Sequence, residues 1–329
     1  MKVLIIPKQT FEGVLLSTPI IRAVNTSLND CQVSVLIDSN WSSVLNSNIY
    51  IHSVYHNSEE AFKNDFDKVV DLGEDGSRKK KYAKKATDWY SFFPQKLEKW
   101  LFVNLKINRF SNKHVVDQYF DLLESLNVFP DELGIDFFLD EKDHVDQDWL
   151  PETYRSGFIV ICLDAAYETR RLPYDRIIEL CDRINKPIIL LGTEEDFELG
   201  KKVESFFFVD SSKPQEEEIL ERDLNKKSRV FNACGKFSLN QRAHLIKECG
   251  VLFSFDNGWW QVGAAFQKKC FTIWGNTHPA FGNYPYRTKF VIFENNKLKC
   301  RPCSPKGYEK CPKGHFDCMN KTIFDFYLP

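Results

Sequence analysis

The chain opens on an unbroken apolar run, Val3-Leu4-Ile5-Ile6. Short, continuous and β-branched, it predicts a strand buried on both faces of a parallel sheet. Apolar positions at Val14-Leu15-Leu16 and at 20–24 fit a helix, and 33–37 and 68–72 fit two further strands. Strand, helix and strand at this spacing make a βαβ unit. Residues 77–112 are basic and aromatic, with Trp89, Tyr90, Phe92, Phe93 and Trp100. They read as a helical pair with an aromatic core and a solvated lysine face, or else as a surface that meets an anionic acceptor or lipid headgroups. Helical spacing returns at 114–123, and an acidic, polar stretch at 140–153 that holds Pro151 reads as a linker.

Beyond the linker the pattern starts afresh. Strands are predicted at 158–163, 187–192, 251–255 and 270–274, and helices at 174–184 and 260–267. The expectation is an α/β protein of two tandem halves, 1–150 and 151–329, with no short internal repeat. Composition agrees, since 329 residues with 43% hydrophobic and 27% charged suit two globular cores. A formal net charge of −2 gives no reason to expect nucleic acid as a partner, although Arg78-Lys79-Lys80-Lys81, Lys84 and Lys85 form a local basic patch. The opening run is cut by Pro7 and Lys8, too soon for a secretory signal. No apolar stretch approaches the roughly 18 to 20 residues that cross a bilayer. A cytoplasmic location is expected.

The candidate chemistry lies at strand ends. No G-x-G-x-x-G follows a predicted strand and no G-x-x-x-x-G-K-[ST] occurs, so phosphate must be held another way. In open α/β sheets, ligands sit at the carboxyl ends of strands, facing helix N-termini and loop amides. Three junctions of the second half fit. Arg170 and Arg171 stand just before Leu172-Pro173, where a helix starts; such forks suit a diphosphate, and equally a pair of solvated loop charges. Glu194, Glu195 and Asp196 follow a strand end, where one carboxylate could accept the hydroxyls of a ribose or all three could cap the next helix. Asp256-Asn257-Gly258 make a polar turn whose amides could face phosphate.

Together these junctions resemble the nucleotide-sugar half of glycosyltransferase family nine, the ADP-heptose:lipopolysaccharide heptosyltransferases. The matching text is Gly235-Lys236-Phe237-Ser238-Leu239, Asp256-Asn257-Gly258, Ala264-Ala265 and Trp274-Gly275-Asn276-Thr277-His278-Pro279. Arg170-Arg171-Leu172-Pro173 is similar to the family's basic residue before a Trp-Pro pair. In the first half, 14–23 resemble its opening helix and 114–123 its His-x-x-Asp helix. The resemblance implies the GT-B architecture, two Rossmann-like domains facing each other across a cleft, with the donor in the C-terminal one. It implies inverting transfer of a sugar, heptose from ADP-heptose, onto a lipopolysaccharide-core or other glycan acceptor, without an organic cofactor. Arg170 and Arg171 would then neutralise the diphosphate, Asp256, Asn257 and Gly258 would shape its pocket, and one of Glu194, Glu195 or Asp196 would hold the ribose. A glycolipid acceptor would bring such an enzyme into peripheral contact with the inner face of the cytoplasmic membrane.

Two departures accompany the resemblance. Inverting transfer needs a base for the acceptor hydroxyl. The family places an acidic residue just before the Val-Leu-Leu run, but here that position is Gly13 and the carboxylate, Glu12, stands one place earlier. Glu12 is the candidate base. Trp259-Trp260-Gln261 also replace the family's usual Pro, apolar residue and His. A catalytically silent relative that binds a glycan or nucleotide is therefore the second reading. A nucleotide-sugar epimerase or other Rossmann enzyme is a third, disfavoured by the missing glycine fingerprint.

Six of the ten cysteines (Cys31, Cys162, Cys181, Cys234, Cys249, Cys270) lie in apolar contexts and read as small buried hydrophobes. The others, Cys300, Cys303, Cys311 and Cys318, form C-x2-C-x7-C-x6-C. That pattern fits a four-thiolate site for zinc or iron, with His315 as a substitute ligand. Similar text occurs near the C-terminus of family members, some of which bind iron there. Free thiols in a packed loop are the alternative, and a reducing cytoplasm disfavours disulfides. A metal would be structural, tying down a glycine- and proline-rich tail expected to lack a core.

Overall fold

A computed structural model describes residues 1–73, 76–111, 113–208 and 229–328. The apolar runs form two separate sheets in which every strand pairing is parallel. The first contains β1 (Lys2–Ile6), β2 (Gln32–Leu36), β3 (Ser53–Tyr55), β4 (Phe66–Asp71) and β5 (Ala86–Ser91), in the order β3-β2-β1-β4-β5. The second contains β6 (Ile159–Cys162), β7 (Ile188–Leu191), β8 (Val230–Asn232), β9 (Val251–Phe255), β10 (Lys269–Trp274) and β11 (Phe290–Glu294), ordered β11-β10-β9-β6-β7-β8. Each sheet has a switch point where the winding reverses, at β1/β4 and at β6/β9. A ligand crevice is expected beyond the strand ends there.

The strands legible as apolar runs are the central ones, buried on both faces. The segment 77–112 differs from its reading as a helical pair. Short helical turns at Ser77–Tyr82 and Ala83–Lys85 lead into edge strand β5, and a helix follows only at Lys96–Leu105. Trp89 and Tyr90 thus belong to a strand, where Asp88 pairs with Lys68 of β4 at 2.6 Å. The stretch at 140–153 is not an open linker either. It carries short 3-10 turns, and Val145, Leu150 and Tyr154 are buried beside it in the core. The C-terminal tail has a core after all, since Cys318, Met319 and Phe324 pack under the second sheet.

One helix, Phe11–Ser27, joins the halves. Thr10 caps it by accepting the Gly13 amide at 3.1 Å, and all its residues from Gly13 to Val24 are buried. Pro19 inside it cannot donate to the Leu15 carbonyl four residues back. The Thr18 hydroxyl donates to that carbonyl instead, at 2.8 Å, so the helix continues through the proline. This helix packs against the helices Val115–Leu123 and Trp259–Ala265, and one apolar core runs through both halves. Among the described residues no helix is long and apolar enough to cross a membrane.

Candidate functional site

A cleft of about 670 Å³ lies beyond the strand ends of the two sheets. Glu12, Arg170, Arg171, Glu195, Asp256, Asn257 and Gly258 all line it. The helix start that carries Glu12 comes against the turn after β9 because residue 258 is glycine. A Cβ there would lie 2.6 Å from Phe11 Cδ1 and 3.2 Å from the Glu12 amide. Gly258 therefore admits the close approach that puts Glu12 and Asp256 in one electrostatic field.

The Glu12 carboxylate is half-buried and accepts two long hydrogen bonds from Asn283 Nδ2, at 3.1 and 3.4 Å. Burial, reinforced by the charge of Asp256, raises its pKa to about 7; Arg170, Asn283 and Lys8 hold it from rising further. Asn283 is itself positioned from both halves. Gln261 donates to the Asn283 and Tyr284 carbonyls at 3.1 and 3.0 Å, and the His114 imidazole meets the Tyr284 carbonyl at 2.8 Å. Tyr286 then donates to Asp117 at 2.7 Å, so the His-x-x-Asp helix grips the same loop. Gln261 is fully buried in this role, and Trp260 is buried against Trp274. Of the departures at 259–261 only Trp259 lines the cleft.

Asp256 is almost fully buried. It accepts a 2.5 Å hydrogen bond from the Thr277 hydroxyl and lies 3.2 Å from Arg170 Nε. Burial raises its pKa, and Arg170, Thr277 and Arg301 oppose that rise. Arg170 also donates to the Asp256 carbonyl at 3.0 Å. Asn257 works inside the protein: its amide donates to the Phe255 carbonyl, and its side chain bridges Ser254, the Asp164 carbonyl and the Trp259 amide. Its amide is therefore not available to phosphate, contrary to the sequence expectation.

The three acidic residues after β7 separate. Asp196 is buried outside the cleft, paired with Arg171 and accepting from the Thr193 amide and hydroxyl at 2.8 and 2.9 Å. Its carboxylate caps a helical turn and cannot reach a ribose. Glu194 is exposed and does not line the cleft, whereas Glu195 does. Sequence reasoning missed Asn283, Thr277, Asp164 and Arg242, which all line the cleft. Thr277 and Asp164 lay in segments the motif reading singled out, Asp164 at the start of the junction that runs to Arg170 and Arg171; Asn283 and Arg242 did not.

The ten cysteines are all free thiols. Of the six scattered ones, five are buried and Cys31 is partly so. Cys300, Cys303, Cys311 and Cys318 gather near one another, close enough that the thiolate charges of Cys300 and Cys311 would act on both Cys303 and Cys318. Their donor chemistry suits zinc or iron. As placed, however, no three His, Cys, Asp or Glu side chains among the described residues form a ligand set. Lys106, at the end of the helix Lys96–Leu105, donates to the Cys300 and Pro302 carbonyls at 3.1 and 2.6 Å and so ties this knuckle to the first half.

Two parallel, doubly wound sheets with a ligand-sized cleft beyond their strand ends define the GT-B class of glycosyltransferase fold. The chain belongs to glycosyltransferase family 9 (heptosyltransferase), whose sequence profile matches residues 85–312. Solved structures share the fold at low identity. A family 9 glycosyl transferase from Veillonella parvula is 19% identical with a TM-score of 0.66, over 88% of this chain and 86% of that one. The Escherichia coli ADP-heptose lps heptosyltransferase II is 14% identical at 0.64, over 98% of each. The iron-containing dodecameric glycosyltransferase TibC of enterotoxigenic E. coli is 11% identical at 0.55, over 97% of this chain and 74% of that one; it has also been solved with ADP-D-β-D-heptose. No curated protein sequence matches the chain.

Proposed function

We propose that the protein is an inverting glycosyltransferase that moves a sugar, heptose from ADP-heptose, onto a lipopolysaccharide-core or other glycan acceptor, with Glu12 as the base. One observation carries the reading: a carboxylate with a pKa near 7 stands in the cleft opposite the Arg170–Asp256 pair. As the acceptor hydroxyl attacks the anomeric carbon, Glu12 takes its proton. The bond from that carbon to the diphosphate oxygen breaks, and the negative charge leaves with the diphosphate beside Arg170 and Arg171. A base with its pKa near the working pH is the most effective for this step. ADP-heptose as donor follows the family and the neighbour solved with it. The test is incubation with a panel of nucleotide-sugars and glycan acceptors, with mass spectrometry and anomeric assignment of products. Retention of configuration, or bound nucleotide without any transfer, overturns it.

The acceptor side supports a glycolipid. Phe93, Leu97, Trp100, Leu105 and Ile107 are exposed around the helix Lys96–Leu105, with Lys96 and Arg109 among them. Phe92, Pro94, Lys99 and Phe110 of the same region line the cleft. Apolar side chains with interspersed cations suit an anionic lipid surface at the inner face of the cytoplasmic membrane. The four gathered thiols are proposed as a structural metal site. Elemental analysis of protein purified without added metal should then give about one zinc or iron per chain, and chelation or Cys303→Ser should lower the thermal midpoint. A metal-free protein of unchanged stability excludes it.

A further inference from the structure

We propose that Arg242 binds the donor diphosphate as a third guanidinium in the crevice between β6 and β9, an assignment that rests on the nucleotide-sugar reading above. Three arginines line the cleft, and they differ in how far their N–H groups are already engaged. Arg171 donates to Asp196 and to the Ala165 carbonyl, and its Nε lies 3.3 Å from Glu168. Arg170 donates to the Asp256 carbonyl and pairs with its carboxylate. Arg242 is the least engaged. It lies 4.0 Å from Asp164 Oδ2, too far for a hydrogen bond, and among the described residues nothing accepts from its buried Nε and Nη1, whereas in Arg170 and Arg171 only the buried Nε lacks an acceptor. A buried, charged donor without an acceptor is costly, and an anion in the crevice would supply one.

The surroundings of Arg242 leave that edge without a competing acceptor within hydrogen-bond distance among the described residues. Its guanidinium lies over the Trp259 ring, 4.6 Å from the centroid, a contact that leaves its N–H groups unoccupied. The same indole donates from Nε1 to Asp164 Oδ2 at 2.8 Å and restrains the carboxylate that stands 4.0 Å from Arg242. The place is also right. Arg242 lies against Asp164 and Trp259, which follow the adjacent strands β6 and β9 at the switch point of the second sheet, where phosphates bind in this topology. Bidentate donation from a planar fork matches the oxygens of a diphosphate.

Calorimetry with inorganic pyrophosphate and with ADP, UDP, GDP and CDP tests the assignment. Arg242→Ala should weaken pyrophosphate and nucleoside diphosphate binding by about 10- to 100-fold, as loss of a charge-assisted hydrogen-bonded contact implies. Arg242→Lys should recover part of the loss. Asp164→Asn removes the competing carboxylate and should tighten pyrophosphate binding instead. Equal affinity in wild type and Arg242→Ala overturns the assignment. Equal weakening by Arg242→Ala and Asp164→Asn also overturns it, because it marks a collapsed pocket. Wild-type protein that binds none of the five probes sinks the nucleotide-sugar reading itself, whereas binding indifferent to Arg242→Ala sinks only the role of Arg242.

Discussion

Two carboxylates meet in the cleft, one from each half. Glu12 follows the first strand of the first sheet, and Asp256 follows β9, next to the first strand of the second. Burial raises the pKa of both, yet their partners differ. Asp256 has a guanidinium at 3.2 Å and a hydroxyl at 2.5 Å, which favour its charged form. Glu12 has one amide at 3.1 and 3.4 Å, and Asp256 itself as a neighbouring anion. Burial thus acts on both carboxylates, with a guanidinium and a hydroxyl opposing it in direct contact at Asp256 and an amide doing so at Glu12. Unlike surroundings of this kind can set two carboxylates to different acid–base roles.

The largest expected effect breaks that contrast at Glu12. General base catalysis contributes about a hundred- to ten-thousand-fold, so Glu12→Gln should lower turnover by that order with donor affinity nearly unchanged. Wild-type activity should rise with pH through about 7, as Glu12 loses its proton, and level off above. Full turnover in Glu12→Gln, or a profile without that limb, would place the base elsewhere.

The next effect is on the other side. Asp256→Asn leaves Arg170, whose side chain is only 15% exposed, without its carboxylate. Removing one partner of a buried ion pair costs about 3 to 5 kcal/mol. The lower end applies here, since Arg170 keeps its bond to the Asp256 carbonyl. Denaturant unfolding should show this loss, and a variant as stable as wild type would mean that the pair contributes little.

Glu12 should affect stability in the opposite sense, and only as a function of pH. Its folded pKa lies above its ordinary value of 4.5, so the folded state holds the proton more tightly. The stabilisation this gives is complete below about pH 4.5 and is lost as pH rises through about 7. Relative to Glu12→Gln, wild type should therefore lose at most about 3 kcal/mol between pH 5 and 8. Parallel stability curves for the two proteins would contradict the burial cost assigned to Glu12.

These tests concern residues that differ in how visible they were before folding. Continuous apolar runs exposed β1, β6, β7, β9 and β10, because central strands of a parallel sheet bury both faces. All four edge strands, β3, β5, β8 and β11, went unread; Ala86–Ser91 was taken for helix, and β11 was missed although it carries the apolar run Phe290-Val291-Ile292-Phe293. Glu12, Arg170 and Asp256 could be picked out because strand-to-helix junctions are readable in sequence. Asn283 and Arg242 could not, since their roles come from contacts across the fold. Asn283 meets Glu12 across 271 residues, and the Trp259 that carries Arg242 meets Asp164 across 95. The same limit applied to Asp196, whose carboxylate looked available until its pair with Arg171 was seen.

The smallest expected effect concerns position 13, where the family's usual carboxylate would stand. A Cβ at Gly13 would lie 2.5 Å from the Lys8 carbonyl oxygen and 2.7 Å from Lys8 Cβ. The first of these contacts is backbone, so the loop 8–12 must shift to admit any side chain. Replacing a helical glycine gains up to about 1 kcal/mol, and an aspartate in the first turn of a helix gains about 0.3 to 1. Overpacking against a fixed neighbour costs about 1 to 3 kcal/mol and should win. Gly13→Asp is therefore expected to lower the thermal midpoint modestly and to leave turnover no higher than wild type. Placed on the Glu12→Gln background, it should not restore activity, because the loop that crowds Gly13 is the loop that brings residue 12 to Asn283. Restored turnover at an unchanged thermal midpoint would show instead that the loop reopens freely and that either position can supply the base.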